Sequence, residues 1–195
     1  MDKFPIIVMV SGRAGEGKST FSEICIDILA KKGIMATIVP FAQGVKDTAC
    51  FMGWDGEKDD KGRKLLQQIG NTGREYDKDI WARKAVDEIR EDAGVNLFDI
   101  VFIDDWRFPN EGNVILTEFP KIAIKVRICR PEEFHTLNGT ELYDDISETS
   151  LPDVESDFYN HVVDNIGSLN ELRAMANEFI ENKVVSRLTT NGGKE

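Results

Sequence analysis

An uncharged apolar run, Pro5-Ile6-Ile7-Val8-Met9-Val10, leads into Gly12-Arg13-Ala14-Gly15-Glu16-Gly17-Lys18-Ser19-Thr20, and a helical pattern starts directly behind it. Phe21, Ile24, Cys25, Ile28 and Leu29 recur at the spacing of one face of an amphipathic helix. The chain must therefore pass from a buried strand through a glycine-rich loop straight into a helix. Glycines at this spacing let consecutive backbone N–H groups point inward around an anion, where side chains would block the approach. The helix presents its positive N-terminal end to the same place. Lys18 is placed to reach β- and γ-phosphates and the Ser19 hydroxyl to bind Mg²⁺. The residues from Gly12 to Thr20 thus read as a phosphate-binding loop for a nucleotide.

Five segments read as buried strands, residues 5–11, 34–41, 99–104, 121–129 and 161–164, with helical patterns between most of them. Alternation of strand and helix predicts an α/β fold in three layers, a five-stranded parallel sheet with helices on both faces. Gly33 marks the end of the first helix, and Leu169, Leu172, Met175, Ala176, Phe179 and Ile180 form a C-terminal amphipathic helix capped by Ser168. Residues 54–63 and 132–145 are polar stretches, the likeliest mobile elements, and 189–195 reads as a disordered tail. One domain accommodates all 195 residues.

Charge narrows the partners. With 24 Lys and Arg against 35 Asp and Glu, the net charge of −11 argues against a broad grip on a nucleic-acid polymer or an anionic membrane. Phosphate recognition must come from cations inside a cleft. Cys25, Cys50 and Cys129 lack metal-ligand spacing and read as buried free thiols in a reducing compartment. No apolar run approaches the about 18 residues of a membrane span, so the expectation is a cytoplasmic protein. His135 and His161 have no serine or cysteine beside them in a nucleophile setting, which disfavours hydrolytic triads.

Phe98 to Arg107 is a strand ending in two carboxylates and an arginine, at the sheet edge where ligands of open parallel sheets bind. Asp104 or Asp105 is placed to hold Mg²⁺ through water or to accept a hydrogen bond from a substrate, and Arg107 to bind a phosphate bidentately; the alternative is a strand-end ion pair. Lys46 follows the second strand at the same edge, as a cleft cation or a surface lysine beside Asp47. The stretch from Arg63 to Arg74 reads as a basic helix broken by a Gly70-Asn71-Thr72-Gly73 turn. Its cations and amides suit a nucleoside monophosphate. Trp81 suits either stacking on a base or the core. Arg130 opens the second polar stretch, where a lid of about 131–148 would carry it over the phosphates. Arg127 alternates with buried residues and reads as structural.

Together these pieces resemble the bacteriophage and bacterial deoxynucleoside-monophosphate kinases, a branch of the P-loop kinases near dephospho-coenzyme A kinase. The resemblance runs from Ile6 to about Ile180 and adds Glu111, Ile146-Ser147-Glu148 and Asn165-x-Gly167-Ser168-Leu169 to the motifs above. It implies that Gly15, Lys18, Ser19 and Thr20 bind ATP and that Asn165 approaches the donor adenine. It further implies that Lys46, Arg63, Gly70, Asn71, Trp81, Asp105, Arg107 and Glu111 surround a monophosphate nucleotide, the first five of them within a monophosphate-binding insertion of about 42–92. The expected activity is ATP- and Mg²⁺-dependent phosphorylation of a (deoxy)nucleoside monophosphate, with Lys18, Arg107 and Arg130 neutralising the transferred charge. Alternatives are a kinase for another small metabolite such as dephospho-coenzyme A, or an NTP-binding regulatory ATPase. The sequence leaves a homodimer open.

Overall fold

Strand β1 (Ile6–Ser11) is buried along its whole length, as an uncharged run must be when helices cover both faces of its sheet. The computed structural model describes residues 4–95, 97–120, 122–131, 150–151 and 157–191. After β1 come α1 (Lys18–Lys31), β2 (Ala36–Ile38), α2 (Gln43–Phe51), α3 (Asp60–Tyr76), α4 (Ile80–Gly94), β3 (Ile100–Trp106), α5 (Pro109–Glu118), β4 (Ala123–Cys129), β5 (His161–Asp164) and α6 (Leu169–Phe179). A π-helical turn, Ile180–Val185, and a last helix, α7 (Ser186–Asn191), follow. Helix α7 enters the segment expected to be a disordered tail.

The sheet is parallel throughout, in the order β2-β3-β1-β4-β5. Val8 stands between Phe102 and Ile124, and Ile128 pairs with Val163. Because β1 has β3 on one side and β4 on the other, the chain leaves it in two directions and a crevice opens at its carboxyl end. The core lies in two halves. Phe21, Leu29, Phe102, Val126, Leu172 and Phe179 fill the space between the sheet, α1 and α6. Met9, Ile103, Trp106, Ala85, Ile89 and Ile115 fill that between the sheet, α4 and α5. Ser168 and Glu171 form a reciprocal capping box at the start of α6, as the sequence predicts.

Three elements differ from their predicted extents, each for a physical reason. Strand β2 has only three residues: Val39 N–H still donates to Phe102 O, but the next N–H that faces β3, that of Phe41, goes to the Asp105 side chain instead of a β3 carbonyl and the ladder ends. Strand β3 runs on to Trp106, and its register against β1 shifts between the Met9–Ile103 and Ser11–Trp106 pairs. That one-residue bulge turns both Asp105 and Trp106 toward the α4 side of the sheet. Helix α3 is continuous across Gly70-Asn71-Thr72-Gly73, where a turn was expected. The glycines there serve packing: a methyl group at Gly73 would stand 2.3 Å from Trp81 Cζ2.

Candidate functional site

The loop after β1 has the backbone that its glycines were expected to supply. Gly15 and Gly17 lie at φ of 87° and 97°, a region that other residues rarely adopt. Gly17 is the N-cap of α1 and supplies no side-chain cap, so the first helical N–H groups stay available to a ligand. Lys18 Nζ donates to the carbonyls of Gly12 (2.7 Å) and Arg13 (2.9 Å), which fold its cation back over the loop. Asn165, just after β5, is buried and donates from Nδ2 to the Glu16 carbonyl (2.9 Å), while its own N–H donates to Cys129 O (2.7 Å). A Cβ on Gly17 would stand 2.6 Å from Asn165 Nδ2, so loop and strand end fit only without one. A cavity of about 440 Å³ opens here, lined by Gly15, Gly17, Lys18, Ser19, Thr20, Arg130, Asn165, Gly167, Leu169 and Leu172.

A second cavity, of about 170 Å³, lies beyond the end of β3, lined by Phe41, Ala42, Val45, Arg74, Trp81, Asp105, Arg107, Phe108 and Glu111. Asp105 closes one wall. Its Oδ1 accepts the Phe41 N–H (2.8 Å) and its Oδ2 the Ala42 N–H (2.9 Å), which ties β3 to the entry of α2. Desolvation pushes the Asp105 carboxyl above its ordinary range, while those two backbone bonds pull it down. Glu111 is buried, and its Oε2 accepts the N–H groups of Arg107 and Phe108 (3.0 Å each) at the start of α5. Burial raises its pKa to about 7, opposed by those two bonds and by the charge of Arg74, with the charge of Asp105 adding to the rise.

Trp81 is part of the core as well as of this wall. It is 6% exposed, donates from Nε1 to Gly70 O (3.0 Å) and packs on Gly73 and Gly44. Arg74, the last cation of the basic stretch and not singled out within it, lines the cavity, donates to Asn71 Oδ1 (2.7 Å) and stands 5.3 Å over the Phe108 ring. Its signal was present, because Arg74 follows Gly70 by four residues and shares its face once α3 is continuous. Phe108 had no comparable signal.

Other predicted residues stand apart. Arg63 is exposed and donates from Nε to Lys58 O (2.7 Å), outside both cavities. Asn71 is exposed and meets the site only through Arg74. Lys46 is half-buried on α2 and lines neither cavity. Alternation along β3 from Phe102, which faces α1, puts Asp104 on the face opposite Ile103. Arg130 lines the first cavity, whereas the lid expected behind it lies largely outside the described residues.

No family profile matches the chain. The uncharacterized protein ORF77 of Ictalurid herpesvirus 1 (strain Auburn) is 31% identical over 144 residues, which are 72% of this chain and 57% of that protein. The chain therefore spans little more than half the length of this relative. Among solved structures, the APS kinase CysC of Mycobacterium tuberculosis in complex with AMPPNP and APS superposes with a TM-score of 0.50 at 12% identity, over 92% of this chain and 99% of that one. The fold is that of the P-loop kinases. A candidate kinase from Chloroflexus aurantiacus J-10-fl gives the same TM-score and identity over 92% of this chain and 97% of its own. At such identities the likeness extends to the fold alone.

Proposed function

We propose that this chain is a P-loop kinase that transfers the γ-phosphoryl group of ATP to a nucleoside monophosphate, with a deoxynucleotide as the preferred acceptor. One observation carries the reading: two cavities open at the carboxyl edge of a single sheet, one built on the glycine-rich loop and one holding Arg74 and Arg107. A switch or regulatory ATPase has use for the first cavity only. The second combines a pair of guanidinium groups, suited to a phosphate, with aromatic and carboxylate walls suited to a nucleoside.

In this reading Lys18, Arg107 and Arg130 neutralise the charge on the group in transit. An acceptor phosphate oxygen forms the new bond to the γ-phosphorus as the bond to the bridging β–γ oxygen breaks and ADP leaves. No general base is needed, since the acceptor phosphate is already an oxyanion at neutral pH. Among the described residues no three His, Cys, Asp or Glu come together as a metal site. The residues present still fit Mg²⁺ in its usual manner, with one or two protein ligands and the rest from phosphates and water. Ser19 lines the first cavity, and of the two aspartates Asp104 is the better candidate, because Asp105 spends both oxygens on backbone N–H groups. The ion would supply charge neutralisation between the phosphates.

The test is ADP release from ATP and Mg²⁺ with each deoxy- and ribonucleoside monophosphate and dephospho-coenzyme A offered in turn, beside Lys18→Ala. Stimulation by deoxynucleotides that Lys18→Ala abolishes is the expected result. Stimulation by dephospho-coenzyme A alone would reassign the acceptor, and release indifferent to every acceptor would leave an NTPase.

A further inference from the structure

The loop that is to bind phosphates carries a carboxylate of its own. Glu16 lies between Gly15 and Gly17, only 3% exposed, and a buried negative charge at this position opposes any anion brought to the neighbouring N–H groups. Its Oε2 accepts the Arg13 N–H at 2.5 Å and approaches Arg127 Nη2 at 3.7 Å, from the adjacent end of β4. The approach is possible because Gly12 has no side chain: a Cβ there would stand 2.7 Å from that oxygen and 2.8 Å from Ile128 O. Arg127 is itself nearly enclosed, with its side chain 13% exposed, and its buried Nε makes no hydrogen bond. Its cation faces the Glu16 carboxylate of the loop on one side and interacts with the Cys129 thiol of its own strand on the other.

We propose that Arg127 is a positioning residue of the nucleotide site: it neutralises Glu16, and through the bond from Glu16 to Arg13 N–H it holds the loop in the shape that receives phosphates. Lys18 is held on Gly12 and Arg13, the two residues against which the Glu16 carboxylate packs. Loss of Arg127 therefore leaves a buried carboxylate competing with ATP phosphates for the same lysine and the same N–H groups. The proposal rests on the nucleotide-binding reading above, and it makes a prediction about pairs of substitutions that a purely structural arginine does not share.

Equilibrium binding of Mg·ATP to the full chain is measured by calorimetry for the unaltered protein, Lys18→Ala, Arg127→Met, Arg127→Lys and the double variant Glu16→Gln/Arg127→Met. Arg127→Met is expected to bind about 30-fold more weakly, as when one partner of a buried charge pair is truncated. Arg127→Lys, which keeps the charge, is expected to lose less than about fivefold. The double variant, with the carboxylate removed as well, is expected to regain about tenfold of what Arg127→Met loses. A double variant as weak as Arg127→Met overturns the proposal. So does an Arg127→Met protein that binds as the unaltered one does while Lys18→Ala fails, and that result leaves the nucleotide-binding reading standing. An unaltered protein that binds no ATP overturns both. If Arg127→Met does not fold, the double variant decides: binding within about tenfold of the unaltered protein sustains the proposal, and a double variant that is unfolded or does not bind overturns it.

Discussion

A methyl group at Gly73 would stand 2.3 Å from Trp81 Cζ2, so Gly73→Ala sets two effects against each other. Alanine in the middle of a helix gains up to about 1 kcal/mol over glycine, whereas overpacking a rigid buried ring costs about 1–3 kcal/mol. The clash wins, and urea denaturation should show a net loss of about 1–2 kcal/mol. Displacement of the ring should also raise the KM for the acceptor, since Trp81 forms a wall of the second cavity. Glu111 makes the other residue-scale prediction. Its folded pKa of about 7 lies above the ordinary 4.5, so between these values the folded protein keeps a proton that the unfolded chain has released. The associated stability is present at the acid end of this window and is lost as the pH rises through 7, on the order of 3 kcal/mol in all. Asp105 is raised in the same direction by burial, so the stability it contributes has the same sign and is lost as the pH rises. Glu111→Gln should flatten the dependence of the urea midpoint on pH between 5 and 8, and an unchanged slope would show that Glu111 does not titrate there.

At the scale of elements, α3 matters because it carries Arg74 to the second cavity and sets Gly70 and Gly73 against Trp81, a residue of that cavity's wall. Its start is fixed by Asp59, whose Oδ1 accepts the Gly62 N–H at 2.7 Å. Asp59→Ala removes this cap and should cost about 1 kcal/mol in chemical denaturation. A loss several times larger would mean that the loop before α3 has a further anchor. The same element explains why part of the site was illegible. A Gly-Asn-Thr-Gly sequence carries strong turn signals, and only the indole packed across α3 shows why glycines stand in a helix that does not bend there. A break in the helix would cost Arg74 its place beside Gly70, whereas in the continuous helix Arg63, at the opposite end, lines neither cavity.

For the whole molecule, the parallel sheet brings two separately lined cavities to one edge, so their ligands should be separable by substitution. Arg74→Ala should raise the acceptor KM about tenfold or more, while the KM for ATP moves by less than about threefold. Steady-state kinetics with each substrate varied in turn checks this, and an equal rise in both would show that Arg74 acts on the shared fold. The loop wall of the first cavity was legible in the sequence, because local backbone geometry alone makes the nine residues from Gly12 to Thr20 an anion cradle, while its other wall, with Arg130, Asn165 and Leu172, comes from the ends of β4 and β5 and from α6. The second was legible only in part, being assembled from α2, α3, α4, the end of β3 and the start of α5, whose meeting no local pattern encodes.

The sequence by itself determined the parallel α/β sheet and the loop after β1, since both follow from short-range periodicity and from the freedom of glycine. Its capping signals likewise set the start of α6. The tertiary structure decided what depends on distant residues meeting: the continuity of α3 under Trp81, the tie of Asp105 to the entry of α2, the entry of Arg74 into the second cavity, and the pairing of Glu16 with Arg127. Each of these is a balance of packing and charge between residues far apart in the chain, and such a balance exists only once the sheet has brought them together.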